Sequence, residues 1–168
     1  MPKLIRLTDA GAVIGNDDWT LLRDPETEAL PASGDVIVPL ALWQTRREAL
    51  EKHAGRVGVW LAADQEPAEM GADVANLPLI AIDFPQFADG RGYSSAKLLR
   101  ERYNYRQELR AIGDVQRDQL YYLSQVGFNA FAIRSDRNPE SEIAGLSDFS
   151  TSYRSRGWGG RRVQGSDA

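Results

Sequence analysis

Between residues 79 and 134, apolar and polar positions follow each other in blocks that predict β-strands joined by helices. Three short apolar runs, at residues 79–84, 109–112 and 130–133, each end at a polar or glycine-containing junction. After the first two junctions, apolar residues recur with the spacing of a helix. Strands that alternate with helices indicate βαβ units, so this stretch predicts a parallel sheet.

Other apolar segments extend the predicted sheet. Residues 3–22 predict a small N-terminal β element with a turn at Asp9, and further strands are expected to begin near Val36, Val57 and Val74. We therefore expect an α/β fold with a mostly parallel sheet, which is either doubly wound or an incomplete (β/α) barrel. The chain lacks the GxGxxG fingerprint that would favour dinucleotide binding.

A single domain is expected over residues 1–153, with a final helix that begins after Asn138 and Pro139. Residues 154–168 are rich in arginine and glycine and cannot bury much apolar surface, so we expect a disordered tail. The tail is either a docking peptide for an acidic partner surface or only a soluble chain end. Its candidate partner-binding residues are Arg154, Arg156, Trp158, Arg161 and Arg162.

Charged side chains follow the predicted strands at the ends where α/β proteins bind ligands. Asp83 lies at the end of the first run, Asp114 follows the second and Arg134 follows the third. If the strands are parallel neighbours, these side chains share one edge of the sheet. They either bind an ionic ligand or form structural ion pairs and caps. The candidate ligand-binding residues are Asp83, Asp89, Arg91, Ser94, Asp114 and Arg134.

The loop before the first helix has some features of an anion site. Ser94 is expected as the N-cap, and Gly90, Arg91 and Gly92 precede it. Free backbone N–H groups at a helix start and a nearby guanidinium both attract anions. A turn with a cap and no ligand explains the same residues, because GRG is not a phosphate-loop consensus.

Composition and charge narrow the classes of partner. Hydrophobic residues make up 42% and charged residues 26% of the 168-residue chain, which is typical of a globular protein. The formal net charge of −4 argues against nucleic-acid binding. No apolar run approaches the roughly 20 residues that cross a bilayer, and residues 1–11 lack the apolar core of a signal peptide. We therefore expect a cytoplasmic protein without a membrane partner.

The chain has no cysteine and one histidine, His53. Without cysteine it holds no disulfide, no thiolate zinc site and no cysteine-ligated iron–sulfur cluster. His53 lies in the last turn of a predicted helix, where a cation complements the helix dipole. We therefore expect neither a metal site nor a cofactor, and an oxidoreductase would lack its usual residues here.

Two segments, DGRGYS at residues 89–94 and LRAIGDVQRDQ at residues 109–119, resemble the core of an uncharacterised bacterial family. The resemblance extends from about residue 35 to residue 153. Members of this family, a domain of unknown function, are often encoded beside the sulfite reductase haemoprotein and are sometimes labelled as oxidoreductases of sulfite reduction. The resemblance implies a setting in assimilatory sulfur reduction and suggests the haemoprotein as a partner. It supplies no catalytic residues.

Two functions follow from these observations. The first is an accessory protein of the sulfite reductase system without a prosthetic group of its own. The second is a small α/β enzyme or anion-binding domain that uses the charged rim, which is the set of candidate ligand-binding residues at the carboxyl ends of the strands. The absence of cysteine and the single histidine favour the accessory role, because they remove most redox and metal mechanisms. Whether the chain is an enzyme stays open.

Overall fold

A computed structural model describes residues 3–24, 26, 29–85, 90–134 and 136–146. Its framework is one sheet of eight strands. The strands are β1 (Lys3–Thr8), β2 (Gly11–Asn16), β3 (Thr20–Leu21), β4 (Val36–Pro39), β5 (Val57–Leu61), β6 (Leu79–Phe84), β7 (Glu108–Gly113) and β8 (Ala130–Ile133).

The sheet order is β2-β1-β8-β7-β6-β5-β4-β3. The six strands from β3 to β8 are all parallel and lie in chain order, whereas β1 is antiparallel to both β2 and β8. The sheet is therefore mixed, and the prediction of a mostly parallel sheet is only partly right. Parallel neighbours in chain order are joined by crossovers of one hand, which place the helices on one face and curl the sheet. The fold is thus a mixed α/β half-barrel and not a doubly wound sheet.

The described residues form five short α-helices, four of which connect strands, together with 3-10 turns. The first two follow β4 and come before β5, α3 joins β6 to β7, and α4 joins β7 to β8. The helices are α1 (Leu40–Thr45), α2 (Arg47–Glu51), α3 (Arg91–Glu101), α4 (Leu120–Gln125) and α5 (Pro139–Glu142).

The two faces of the sheet differ in what covers them. On the convex face, alternate strand residues such as Ile80 and Ile82 form one large apolar core with helix residues such as Leu99 and Leu123. On the concave face, a second and smaller apolar cluster contains strand residues and Trp19 but no helix residue. This alternation follows from the two-residue period of a strand. The concave cluster comprises Trp19, Ile37, Leu79, Ala81 and Ile112, with Leu21, Trp60 and Ala132 packed against it.

A buried charge network lies at the amino end of β7 on the concave face. The Arg110 guanidinium is fully buried and lies 2.8 Å from the carboxylates of both Asp17 and Glu108. Arg6 of β1 is 3.7 Å from Glu108 and joins the same network. Because a buried guanidinium requires paired acceptors, Asp17 fixes the chain between β2 and β3 against β7, in the middle of the sheet.

The N-terminal β element is divided between the two edges of the sheet. Strands β1 and β2 form the predicted hairpin, with its turn at Asp9 and Ala10. Strand β3 leaves the hairpin and pairs in parallel with β4 at the opposite edge. The prediction that residues 3–22 form a single β element is therefore wrong, because the Asp17–Arg110 contact and β4 hold β3 at the other edge from the hairpin.

The strand expected near Val74 is also absent. Residues Pro67–Asn76 form a 3-10 helical segment that is kinked at Gly71, where φ is 73°. Its first turn is held by Glu69, whose carboxylate accepts a hydrogen bond from the Glu66 N–H at 2.9 Å. The buried side chains Met70 and Val74 pack the segment on the convex core, so tertiary packing overrides the β-like pattern.

Two predicted helix ends are confirmed. Gly127 follows α4 with a φ of 118°, a conformation that favours glycine. The Asn138 side chain accepts a hydrogen bond from the Glu140 N–H at 3.0 Å, and Pro139 occupies the first turn of α5. A 3-10 turn (Ile143–Leu146) continues α5 and buries Leu146 in the convex core.

Candidate functional site

Asp83 lies near the carboxyl end of β6 on the concave face, opposite Ile112 of β7. Its side chain is 13% exposed, and its Oδ1 lies 3.0 Å from Nη1 of Arg23. Among the described residues this oxygen accepts no hydrogen bond, so the contact with Arg23 is an ion pair without a directed N–H. The Arg23 guanidinium also lies over the Trp60 ring, 5.0 Å from its centroid. Asp83 is thus held by a guanidinium that the sequence did not assign to the site.

Asp114 and Arg134 meet at the same edge, as expected if β7 and β8 are parallel neighbours. Nη1 of Arg134 donates to Oδ1 of Asp114 at 3.3 Å, and the Asp114 N–H donates to the carbonyl of Phe84 at 2.7 Å. Gln116 donates to both carboxylate oxygens of Asp114. Asp136 binds Arg134 from the other side at 2.9 Å. The pKa of Arg134 is raised, first by its hydrogen bond with Asp136 and also by Asp114.

Arg91 and Ser94 line a cleft beside this rim. Its volume is about 390 Å³, and it lies between the chain after β5 and one flank of α3. Arg91, Ser94, Ser95 and Leu98 recur at helical spacing and therefore lie on one stripe of α3. The facing wall is acidic. The lining residues are Ala63, Asp64, Gln65, Glu66, Pro67, Arg91, Ser94, Ser95 and Leu98.

Ser94 is not the N-cap of α3, contrary to the sequence prediction. The helix starts at Arg91, and its N-cap is Gly90, without a side-chain cap. The first turn packs on Phe84: the Tyr93 and Phe84 ring centroids are 5.7 Å apart, and a Cβ at buried Gly92 would meet the Phe84 ring at 2.5 Å. This packing extends the helix one turn earlier, so the Ser94 hydroxyl lies along its flank and not at its end.

Some of the predicted residues lie outside the described residues. They are Asp89 of the loop before α3 and the tail residues Arg154, Arg156, Trp158, Arg161 and Arg162. The predicted boundary between the domain and the tail at residue 153 falls outside them as well.

The described side chains at this edge offer few groups for acid–base or nucleophilic chemistry. Burial raises the pKa of Tyr93, and also that of Tyr105, which lies at the amino ends of the strands, so both phenols stay protonated near neutral pH. His53 lies at the end of α2, with Nε2 2.7 Å from the Gly34 carbonyl oxygen. Within the described ranges, no group of three or more His, Asp or Glu side chains is arranged to hold a metal ion.

Sequence reasoning missed Arg23 as the partner of Asp83 and Trp60 as the ring that Arg23 lies over. The sequence contained a signal for Trp60. The two-residue period of a strand places Trp60 of β5 and Asp83 of β6 on the same, concave face of the sheet. Arg23 gave no signal, because it lies in a polar link far from β6 along the chain.

Fold and site together define an α/β half-barrel protein whose carboxyl edge carries mutually paired charges beside a polar cleft. The chain belongs to the family described as "Bacterial protein of unknown function (DUF934)", whose family model matches residues 58–161. No curated protein and no solved structure matches the chain. In the described part of the chain, every helix is too short or too polar to cross a membrane.

Proposed function

We propose that the chain is an accessory protein of assimilatory sulfite reduction, which acts with the sulfite reductase haemoprotein and carries no prosthetic group of its own. The setting is the one implied by the family that the sequence resembles, and it includes a cytoplasmic location. In this role the half-barrel presents surfaces that bind the haemoprotein.

One observation carries this proposal: the charged groups at the carboxyl edge are bound to each other. Asp114 is bound to Arg134, and Asp83 is bound to Arg23. A general acid or base needs a titratable group directed at a substrate, whereas these carboxylates are neutralised by guanidiniums. The edge therefore has the character of a structural ion-pair network, which supports a binding role over a catalytic one.

The residue inventory supports the same role. The chain has no cysteine, and His53 contacts a backbone carbonyl oxygen away from the rim. Iron–sulfur clusters need thiolate ligands, and haem iron is most often held by an imidazole or a thiolate. Electron transfer to sulfite therefore belongs to the haemoprotein in this proposal.

The segment after residue 153 is the proposed docking peptide. It holds four arginines around Trp158. Arginine and tryptophan are favoured at the energetic centres of interfaces, and guanidiniums bind acidic surfaces. The haemoprotein surface that receives the segment is accordingly expected to be acidic.

The test is co-elution of the full chain with the haemoprotein from the same bacterium on a sizing column. A variant with Arg154, Arg156, Arg161 and Arg162 replaced by serine should elute apart from the haemoprotein. A control with the same loss of charge replaces Lys3, Lys52, Lys97 and Arg106, which are exposed elsewhere, and should still co-elute. Separate elution of the unmodified chain would contradict the proposal, and co-elution of the serine variant would remove the docking role of the tail.

A second candidate function is favoured by the cleft along α3, which is the size of a small-molecule site. Arg91, Ser94 and Ser95 supply hydrogen-bond donors from one wall. Asp64 and Glu66 on the facing wall repel a dianion more than a monoanion. An anion-binding half-barrel would therefore favour hydrogen sulfite over sulfate.

Calorimetric titration with sulfite, sulfate and phosphate tests this second function. Hydrogen sulfite should bind, and Arg91→Ala should weaken its affinity by about tenfold or more, because a guanidinium forms strong charge-assisted hydrogen bonds with oxyanions. Lys52→Ala removes one exposed positive charge away from the cleft and is the matched control. Absence of binding, or equal affinity in both variants, would contradict a site in this cleft.

A further inference from the structure

Strand β2 forms one edge of the half-barrel and is paired on one side by β1. Among the described residues, no strand pairs with its other side. In such an edge strand, every second residue directs its N–H and C=O groups away from the sheet. These groups are a template for a further strand.

Nothing in the sequence of β2 protects this edge. Proteins block exposed edges with charged residues, proline, bulges or very short strands. The β2 residues Gly11–Asn16 include no charge and no proline, and the strand is six residues long. At the opposite edge, β3 (Thr20–Leu21) has only two residues, which makes that edge a poor template.

On its concave side, β2 presents the apolar side chain of Val13 between two glycines. Val13 is 46% exposed and lies opposite Arg6 of β1. Gly11 and Gly15 lie two residues away on either side, and a Cβ atom at either position would meet nothing within 4 Å. Another side chain can therefore approach Val13 without displacing its neighbours.

Packing on the convex side of β2 holds the strand in place. Ala12 and Ile14 pack against the convex core, and all six residues of β2 are in register with β1. The edge is therefore presented in an extended conformation before any partner arrives, which lowers the entropic cost of pairing.

We propose that β2 pairs antiparallel with β2 of a second copy of this chain, about a two-fold axis at Val13. In this register Val13 faces Val13 of the second copy, Ala12 faces Ile14, and Gly11 faces Gly15. An isologous contact of this kind requires a self-complementary strand, and an uncharged strand meets its copy without like-charge repulsion. Small residues flank the central valine pair, so the two strands can approach each other fully.

Pairing through one edge strand makes a small interface. Interfaces below about 1,200 Å² belong to weak and transient complexes. The dimer is therefore expected to form in a concentration-dependent way, with the two eight-stranded sheets joined along β2.

Sedimentation equilibrium of the full chain over a range of concentrations tests the dimer. Val13→Lys and Val13→Glu each place like charges opposite one another and should weaken self-association by about tenfold or more. An equimolar mixture of the two variants should dimerise again, because the charges are then opposite. Tyr122→Lys replaces another exposed large hydrophobic side chain, 67% exposed on α4, and should dimerise like the wild type.

Hydrogen exchange of the wild-type chain gives a test without a substitution: the backbone amides of β2 should exchange more slowly as the concentration rises. The proposal is overturned if the wild type stays monomeric, if Val13→Lys dimerises normally, or if the mixed variants do not restore the dimer. A monomer whose β2 amides are protected at all concentrations would assign this edge to another segment of the same chain, which also overturns it.

Discussion

At the scale of single residues, Arg100 is a buried guanidinium that holds separate parts of the chain together. Its side chain is 1% exposed at the end of α3. Its Nε donates to the Gly127 carbonyl at 2.8 Å, and its Nη1 donates to the carbonyls of Tyr105 and Gln107 at 2.8 and 2.9 Å. One guanidinium therefore joins α3 to the chain before β7 and to the turn after α4.

Replacement of Arg100 by methionine should lower the free energy of unfolding by about 3 kcal/mol, because three backbone carbonyls lose a charged donor in a buried place. Urea unfolding measures the change. Arg102→Met, on the exposed side of the same helix end, is the control and should change the stability by less than about 0.5 kcal/mol. Equal effects of the two substitutions would show that the carbonyl contacts contribute little.

Asp35 gives a pH-dependent contribution to stability. The hydrogen bonds from the Arg56 side chain, followed by one from its backbone N–H, lower the pKa of Asp35 below its usual value. The contribution is therefore complete above the unfolded-state pKa of about 4 and is lost as the pH falls through the folded-state value. The pair is near the surface, so we expect less than about 1 kcal/mol.

Acid unfolding of the wild type and of Asp35→Asn measures this contribution. The variant should be less stable than the wild type at neutral pH, and the difference should shrink below about pH 4. Asp73→Asn, which removes a more exposed partner of Arg47, is the control and should lower the stability at neutral pH by less than Asp35→Asn does. A difference that grows as the pH falls would contradict the lowered pKa of Asp35.

At the site, the sequence predicted the positions of some charged residues but not all of their partners. The positions of Asp83, Asp114 and Arg134 at one edge were predictable, because parallel strands end together. Their partners were not equally predictable. Asp114–Arg134 joins neighbouring strands, whereas Arg23 reaches Asp83 from a link whose path depends on the whole sheet.

At the scale of elements, β6 and β7 approach closely at Gly113. This residue has a φ of 90°, and a Cβ placed on it would lie 2.5 Å from Oδ1 of Asp83 and 2.6 Å from the Phe84 carbonyl oxygen. The turn after β7 and the position of Asp83 therefore depend on one glycine.

Gly113→Ala should destabilise the fold by about 2 kcal/mol, because alanine is strained at positive φ and its methyl group displaces Asp83. Thermal unfolding followed by circular dichroism measures the loss. Gly15→Ala in β2 is the control: a Cβ there meets nothing within 4 Å, so its stability should match the wild type. A Gly113→Ala variant as stable as the control would show that the turn rearranges without cost.

Elements were predictable where one local signal dominated. Short, mostly apolar runs correctly predicted β6, β7 and β8. The prediction of a strand around Val74 was wrong, because the turn at Gly71 and the packing of Met70 determine a 3-10 helix. The start of α3 was misplaced for a similar reason, since Phe84 packs on residues before Ser94.

At the scale of the whole molecule, pairings between distant residues decide the architecture. The sequence left a doubly wound sheet and an incomplete barrel open, because both consist of βαβ units. The order of β3 to β8 selects the half-barrel, and the pairing of β1 with β8, in which Lys3 lies opposite Ile133, makes the sheet mixed. Local patterns contain no signal for a contact over that separation.

The role proposed for this half-barrel is to serve sulfite reduction through binding and not through a redox centre of its own. The most direct measurement is growth of a bacterium that encodes the chain, before and after deletion of its gene, with sulfite or sulfide as the only sulfur source. We predict that the deletion slows growth on sulfite but not on sulfide, and that the full chain restores growth on sulfite. Equal growth of both strains on sulfite would contradict this role in sulfite reduction.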